Sequence, residues 1–148
     1  MLNKFGMVKC IPLTTPMEQN LKLTSTEGNE FEETTKCRQL VGSLNYLTTT
    51  RPDISCVIRI LSTFMQRPCE GRWVFAKRVL KYLKGTQDFR LKYTQVDNFS
   101  LIGYSDSYFD GDKETGVCNL GYAMNLWSRD VSWRSRKQSV PADSTAKA

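Results

Sequence analysis

Histidine is absent from all 148 residues of the chain. Without an imidazole there is no Ser-His-Asp or Cys-His nucleophile, which removes most hydrolase chemistry. Cysteine is present but suited to neither a zinc site nor a disulfide framework. Cys10, Cys37, Cys56, Cys69 and Cys118 are odd in number, widely spaced and never in a C-x-x-C pair. Reduced, mostly buried thiols are the expectation. Long apolar runs are missing too: nothing approaches the roughly 18 residues needed to cross a bilayer, so no membrane partner is expected. The opening "MLNKFGMVKCIPLTTPMEQ" is interrupted by Lys4, Lys9 and Pro12 before it reaches signal-peptide length. Taken literally, the chain is soluble and unexported. It has no repeat at solenoid spacing and no low-complexity tract.

What remains is enough for a folded body. The chain is 40% hydrophobic, sufficient for one compact domain or two small ones. Its formal charge of +6 comes from 21 Lys and Arg against 15 Asp and Glu. The excess lies in front: residues 1–95 hold 15 basic and 8 acidic side chains, and the remainder 6 and 7. Such a front half suits a polyanion, a nucleic acid or an anionic surface; the alternative is a set of solvated helix faces.

Residues 1–35 read as loosely ordered, with two prolines, many Thr and Ser, and the acidic "EGNEFEE". Periodicity begins at Cys37, Leu40, Val41, Leu44 and Leu47, the stripe of a first helix that ends in the β-branched "TTT". Pro52 and Asp53 open a second helix, where a missing amide is harmless and a carboxylate favours the positive end of the dipole. Ile54, Val57, Ile58, Leu61 and Phe64 form its buried stripe, and it stops at Pro68. A third helix spans about Glu70 to Lys84, with Trp73, Ala76, Val79, Leu80 and Leu83 inward and Gly85 as a left-handed C-cap. Arg72, Lys77, Arg78, Lys81 and Lys84 crowd it, and Arg90 and Lys92 follow. These seven are the candidate phosphate-binding residues, with Trp73, Tyr82 and Tyr93 between them expected to pack in the core.

Beyond Gly85 the period becomes alternating. "FRLKYT" (89–94), "FSLIGYSDSYF" (99–109), "LGYAMNLW" (120–127) and "DVSWRSRKQS" (130–139) read as strands, with "SRD" as a hairpin turn. The expected fold class is α+β, with a helical part over 1–95 and a strand-rich part over 96–148. A sheet of this kind normally buries its faces against helices, so an exposed apolar face is expected, with Trp127 and Trp133 as candidates.

The densest carboxylate stretch is "GYSDSYFDGDKET", residues 103–115. A two-metal nuclease needs several carboxylates converging on divalent cations. Alternation places Ile102, Tyr104, Asp106 and Tyr108 on one face of a strand, so that strand supplies one carboxylate, Asp106. Asp110, Asp112 and Glu114 fall in the following turn and read as solvated.

Taken together, "FGMVKCIPLTTPME", "CRQLVGSLNYLTTTRPDIS", "AKRVLKYLKGT", "LIGYSDSYFDGD" and "VSWRSRKQS" resemble, in order, the C-terminal part of a Ty1/copia-type retrotransposon Pol polyprotein. The resemblance implies the tail of a reverse transcriptase followed by the beginning of a ribonuclease H domain. It makes Asp106 the position of the first metal-binding carboxylate. The next belongs to an S-T-E-A-E pattern, where this chain reads "STAKA" and has Ala146 in place of the first Glu. Tyr108 replaces the second acid of Y-S-D-x-D, and the further Asp residues would lie beyond Ala148. A vestigial metal position without an enzyme, a bound metal or a cofactor is the expectation.

The whole chain also resembles the secreted RxLR-class effectors of downy mildews, a class that acts inside plant cells to suppress defence and cell death. Its motif has only a degenerate counterpart here, Arg38, Gln39, Leu40 and Val41, with "EFEE" before it rather than after. Three functions follow: an effector that binds a host protein in the host nucleus or cytoplasm, a catalytically dead Pol relic, and a weak nucleic-acid-binding module. The first is the leading expectation.

Overall fold

From Thr34 the apolar residues recur three and four apart, and the segment folds as helix α1, Thr34–Leu47, burying Cys37, Leu40, Val41 and Leu44. The three threonines after it finish the helix chemically. The hydroxyls of Thr48, Thr49 and Thr50 donate to the carbonyls of Asn45, Tyr46 and Leu47 at 2.7, 2.8 and 3.3 Å. The same carbonyls also accept the backbone amides of Thr48, Thr49, Thr50 and Arg51, so each threonine hydroxyl adds a second bond to the closing turn of α1.

The computed structural model describes residues 1–18, 32–63, 65, 68–93, 100–108, 119–127 and 129–137. Two units divide the chain, Met1–Arg90 and Leu91–Ala148.

In the first unit Pro52 begins a 3-10 turn, Pro52–Ile54, which leads into α2, Ser55–Thr63. Ile54, Val57, Ile58 and Leu61 are buried as the spacing requires; Phe64 lies outside the described residues. Helix α3, Glu70–Gly85, buries Trp73, Ala76, Val79 and Leu80 together with Phe75, Tyr82 and Arg72. Leu83 is only partly buried. Phe5 sits edge-on to Trp73, ring centroids 6.5 Å apart at 66°, so the first residues belong to this core although they form no regular element.

Gly85 is not the left-handed cap its position suggests. It is the last residue of α3, Thr86 is the C-cap, and Gly6 alone among the described glycines has a positive φ. Close approach is what requires a glycine there. A Cβ on Gly85 would stand 3.2 Å from both the Leu13 carbonyl oxygen and Pro12 Cβ.

The second unit contains a three-stranded antiparallel sheet in the order β1-β2-β3: β1 Leu101–Tyr108, β2 Asn119–Leu126 and β3 Arg129–Lys137. The alternation in 89–93 forms no strand, and residue 94 lies outside the described set. A local turn takes the backbone instead, with the Phe89 amide donating to the Thr86 carbonyl at 3.1 Å. The β2–β3 turn also differs from expectation. Leu126 pairs with Arg129, so two positions separate the paired ends, and Arg129 and Asp130 of "SRD" already belong to β3. Two-residue hairpin loops favour positive φ, and Trp127 adopts φ 64° there.

Three helices followed by an antiparallel sheet make the fold α+β, as the sequence implies. The sheet has exposed apolar residues, among them Leu101, Tyr104, Tyr122 and Trp127, while Trp133 is half-buried.

Candidate functional site

Asp106 stands on β1 with its side chain exposed. Its cross-strand partner is Gly121, and Ser135 follows on β3, so neither neighbour brings a second carboxylate. Among the described residues no three His, Cys, Asp or Glu side chains gather closely enough to hold a metal ion. Asp110, Asp112, Glu114 and Ala146 lie outside the described residues.

Arg38, Gln39, Leu40 and Val41 are one turn of α1. Leu40 and Val41 are core residues, while Arg38 and Gln39 are exposed and Arg38 Nε donates to the Met65 carbonyl at 3.4 Å. As folded, half of this stretch is turned away from any partner.

The seven basic candidates do not form one open row. Arg72 is 2% exposed. Lys77 places its ammonium 4.8 Å from the centre of the Trp73 ring, and Lys36 lies 5.9 Å from the same ring. Arg78 holds Glu18 Oε1 at 2.7 Å and Thr15 Oγ1 at 3.2 Å. Lys84 donates to the carbonyls of Val8 and Cys10 at 2.7 and 2.6 Å, and the Lys81 carbonyl accepts the Leu13 amide at 3.3 Å. Thus α3 uses its cations to fasten residues 8–18 along itself. Arg90 and Lys92 are exposed, with Arg90 Nε donating to the Asp88 carbonyl at 3.4 Å.

Sequence reasoning missed the most organised polar cluster. Arg51 binds Asp53 with two hydrogen bonds and donates to the carbonyl and hydroxyl of Thr86 at 3.0 and 2.7 Å. Its guanidinium lies 5.8 and 5.5 Å from the ring centres of Tyr82 and Phe89. Tyr82 donates its hydroxyl to Asp53 Oδ2 at 2.8 Å. Burial by itself would raise the Asp53 carboxyl, but the hydrogen bonds from Arg51 and Tyr82 outweigh it and hold the group below the usual carboxylate range. The same contact with Asp53 raises Arg51, while burial and then the Asp53 bond raise Tyr82. The signal was the dipeptide spacing Arg51-x-Asp53. Asp53 was assigned to a helix dipole, and nothing in the spacing points to Tyr82 or Thr86.

The arrangement neutralises and ties; it presents no nucleophile or open carboxylate pair. Comparison with known proteins then places the chain. The Retrovirus-related Pol polyprotein from transposon RE2 of Arabidopsis thaliana is 37% identical over 148 residues, all of this chain and 10% of that protein. Its counterpart from transposon RE1 is 38% identical over the same length and share. Secreted RxLR effector protein 161 of Plasmopara viticola is 42% identical over 103 residues, 69% of this chain and 72% of that protein. Over its whole length the chain is similar to a segment of copia-type retrotransposon Pol polyproteins. It spans a tenth of the length of the two Pol polyproteins. No family model and no solved structure matches it.

Proposed function

We propose that this copia-type Pol segment is a relic that performs no catalysis by itself. The supporting observation is similarity to Pol polyproteins over all 148 residues. On the family resemblance, α1–α3 correspond to the end of the reverse transcriptase and β1–β3 to the opening strands of ribonuclease H. Asp106 would then be the first metal-binding carboxylate. Metal-assisted hydrolysis of a phosphodiester needs further ligands converging on the ion, and Gly121 and Ser135 beside Asp106 provide none. The residues described do not fit a magnesium site, so no step is drawn through one. The test is incubation of the chain with an RNA/DNA hybrid and magnesium. No cleavage above buffer is expected; cleavage abolished by Asp106→Asn would overturn the reading.

A second reading is favoured by the 42% identity to a secreted RxLR effector protein over 72% of that protein. Here the chain would act in a plant host cell by binding a host protein. Expression in leaf tissue beside a cell-death elicitor separates the two. Undiminished necrosis supports the relic, and suppressed necrosis the effector.

A further inference from the structure

The three strands sort their arginines from their aspartates by face, with the Lys137 position on the aspartate side through Tyr108↔Asn119↔Lys137. Directly opposed residues of an antiparallel ladder project on the same side. The pairings Leu101↔Leu126↔Arg129, Ser105↔Tyr122↔Arg134 and Leu120↔Arg136 therefore place Arg129, Arg134 and Arg136 on one face. The pairings Asp106↔Gly121↔Ser135 and Ile102↔Asn125↔Asp130 place Asp106 and Asp130 on the other. Every described arginine of the sheet is on one side and every described aspartate on the opposite side. Each face also exposes large apolar side chains: Leu120, Tyr122 and Met124 with the arginines, Ile102 and Tyr104 with the aspartates.

We propose that the basic face of one sheet docks onto the acidic face of the sheet in a second copy of the chain. Charge complementarity selects this occupant: a like face would set arginine against arginine, whereas the opposite face supplies both a carboxylate for the guanidinium groups and an apolar surface. The two contacting faces differ, so the contact is heterologous. Each added copy leaves a fresh basic and a fresh acidic face, and the assembly grows as an open stack instead of closing as a dimer.

The size of the faces sets the strength. Two strands of eight residues and one of nine cover about 26 Å by 14 Å, roughly 360 Å². That is about half of the ~800 Å² per partner found in stable complexes, so the association is weak and depends on concentration. Salt weakens it further, because the exposed charges are screened within about 8 Å at physiological ionic strength.

Sedimentation equilibrium on the full chain, from about 10 μM to about 1 mM, tests this. The weight-average mass should rise with concentration and fall back when salt is added. Two charge-reversed chains, Arg134→Glu/Arg136→Glu and Asp106→Lys/Asp130→Lys, should each weaken self-association by about tenfold or more. Mixed in equal amounts they should associate again, since each then offers the face that the other lacks. The milder pair Arg134→Gln/Arg136→Gln, matched to the parent by circular dichroism, should fall between. A parent that stays monomeric throughout overturns the proposal. So does association that ignores both reversals, or a mixture no heavier than its components.

Discussion

The guanidinium of Arg51 grips the carboxylate of Asp53 at two points, Nε to Oδ1 at 2.8 Å and Nη2 to Oδ2 at 2.6 Å. Only one residue, Pro52, separates the pair in sequence, yet the contact fixes the end of α3, because Arg51 also holds Thr86 and Asp53 also accepts from Tyr82. The Arg51 side chain is 10% exposed and that of Asp53 28%, so removing one partner strands a charge poorly served by water. Asp53→Asn should destabilise the first unit by about 2–3 kcal/mol, and Tyr82→Phe by about 1 kcal/mol. Urea denaturation followed by tryptophan fluorescence measures both.

The same pair sets an acid limit. Asp53 is held below its unfolded value of about 3.9. A depressed carboxylate contributes stability that is present above that value and is lost as pH falls through the lower, folded one. The wild-type urea midpoint should therefore drop below about pH 4 more steeply than that of Asp53→Asn. Equal slopes would show that the carboxylate carries no linked stability.

Thiol chemistry should separate two cysteines on neighbouring helices. Burial pushes the Cys37 thiol above its ordinary range, whereas Cys56 is exposed. At pH 8, iodoacetamide should label Cys56 in the native protein and reach Cys37 only after denaturant is added. Mass spectrometry of the alkylated peptides reads the outcome.

Residues 8–18 are fastened to α3 chiefly by polar contacts at its surface. Lys84→Met removes the hydrogen bonds to the carbonyls of Val8 and Cys10 and should loosen this segment by about 1 kcal/mol, leaving the core in place. Trypsin cleavage after Lys9 should then accelerate about fivefold, while the urea midpoint of the helical core changes little.

The helices were legible because their buried stripes repeat at helical spacing: Leu40, Val41 and Leu44 on α1, and Ile54, Val57, Ile58 and Leu61 from Ile54 into α2, occupy the core as the periodicity requires. The sheet was legible from alternation, and Asp106 falls on the same face as Tyr104. Alternation did not reveal that residues 89–93 form no strand after the turn at Thr86–Phe89, because it describes side chains and not whether a ladder partner is at hand. Nor could composition show that the basic residues of α3 are engaged. Arg78 and Lys84 meet residues sixty or more positions earlier, and a contact at that range leaves no local pattern. The Arg51 cluster was missed for the same reason at its distant end, Tyr82 and Thr86.

One irregularity in β3 decides more than its size suggests. The pairing passes from Met124↔Ser132 to Asn125↔Asp130, so Val131 has no opposite number on β2. Counted as an unbroken strand, β3 would put Asp130 on the side of Arg134 and Arg136, and Arg129 on the side of Trp133. The surplus residue shifts the frame by one, and it brings the arginines of the sheet to one face and its aspartates to the other, with the Lys137 position on the aspartate side through its pairing with Asn119. Their character is set by how many residues β3 contains as well as by which they are. Substitution scans preserve that number. Deleting Val131 would leave the sides of Arg129 and Asp130 unchanged on a regular ladder.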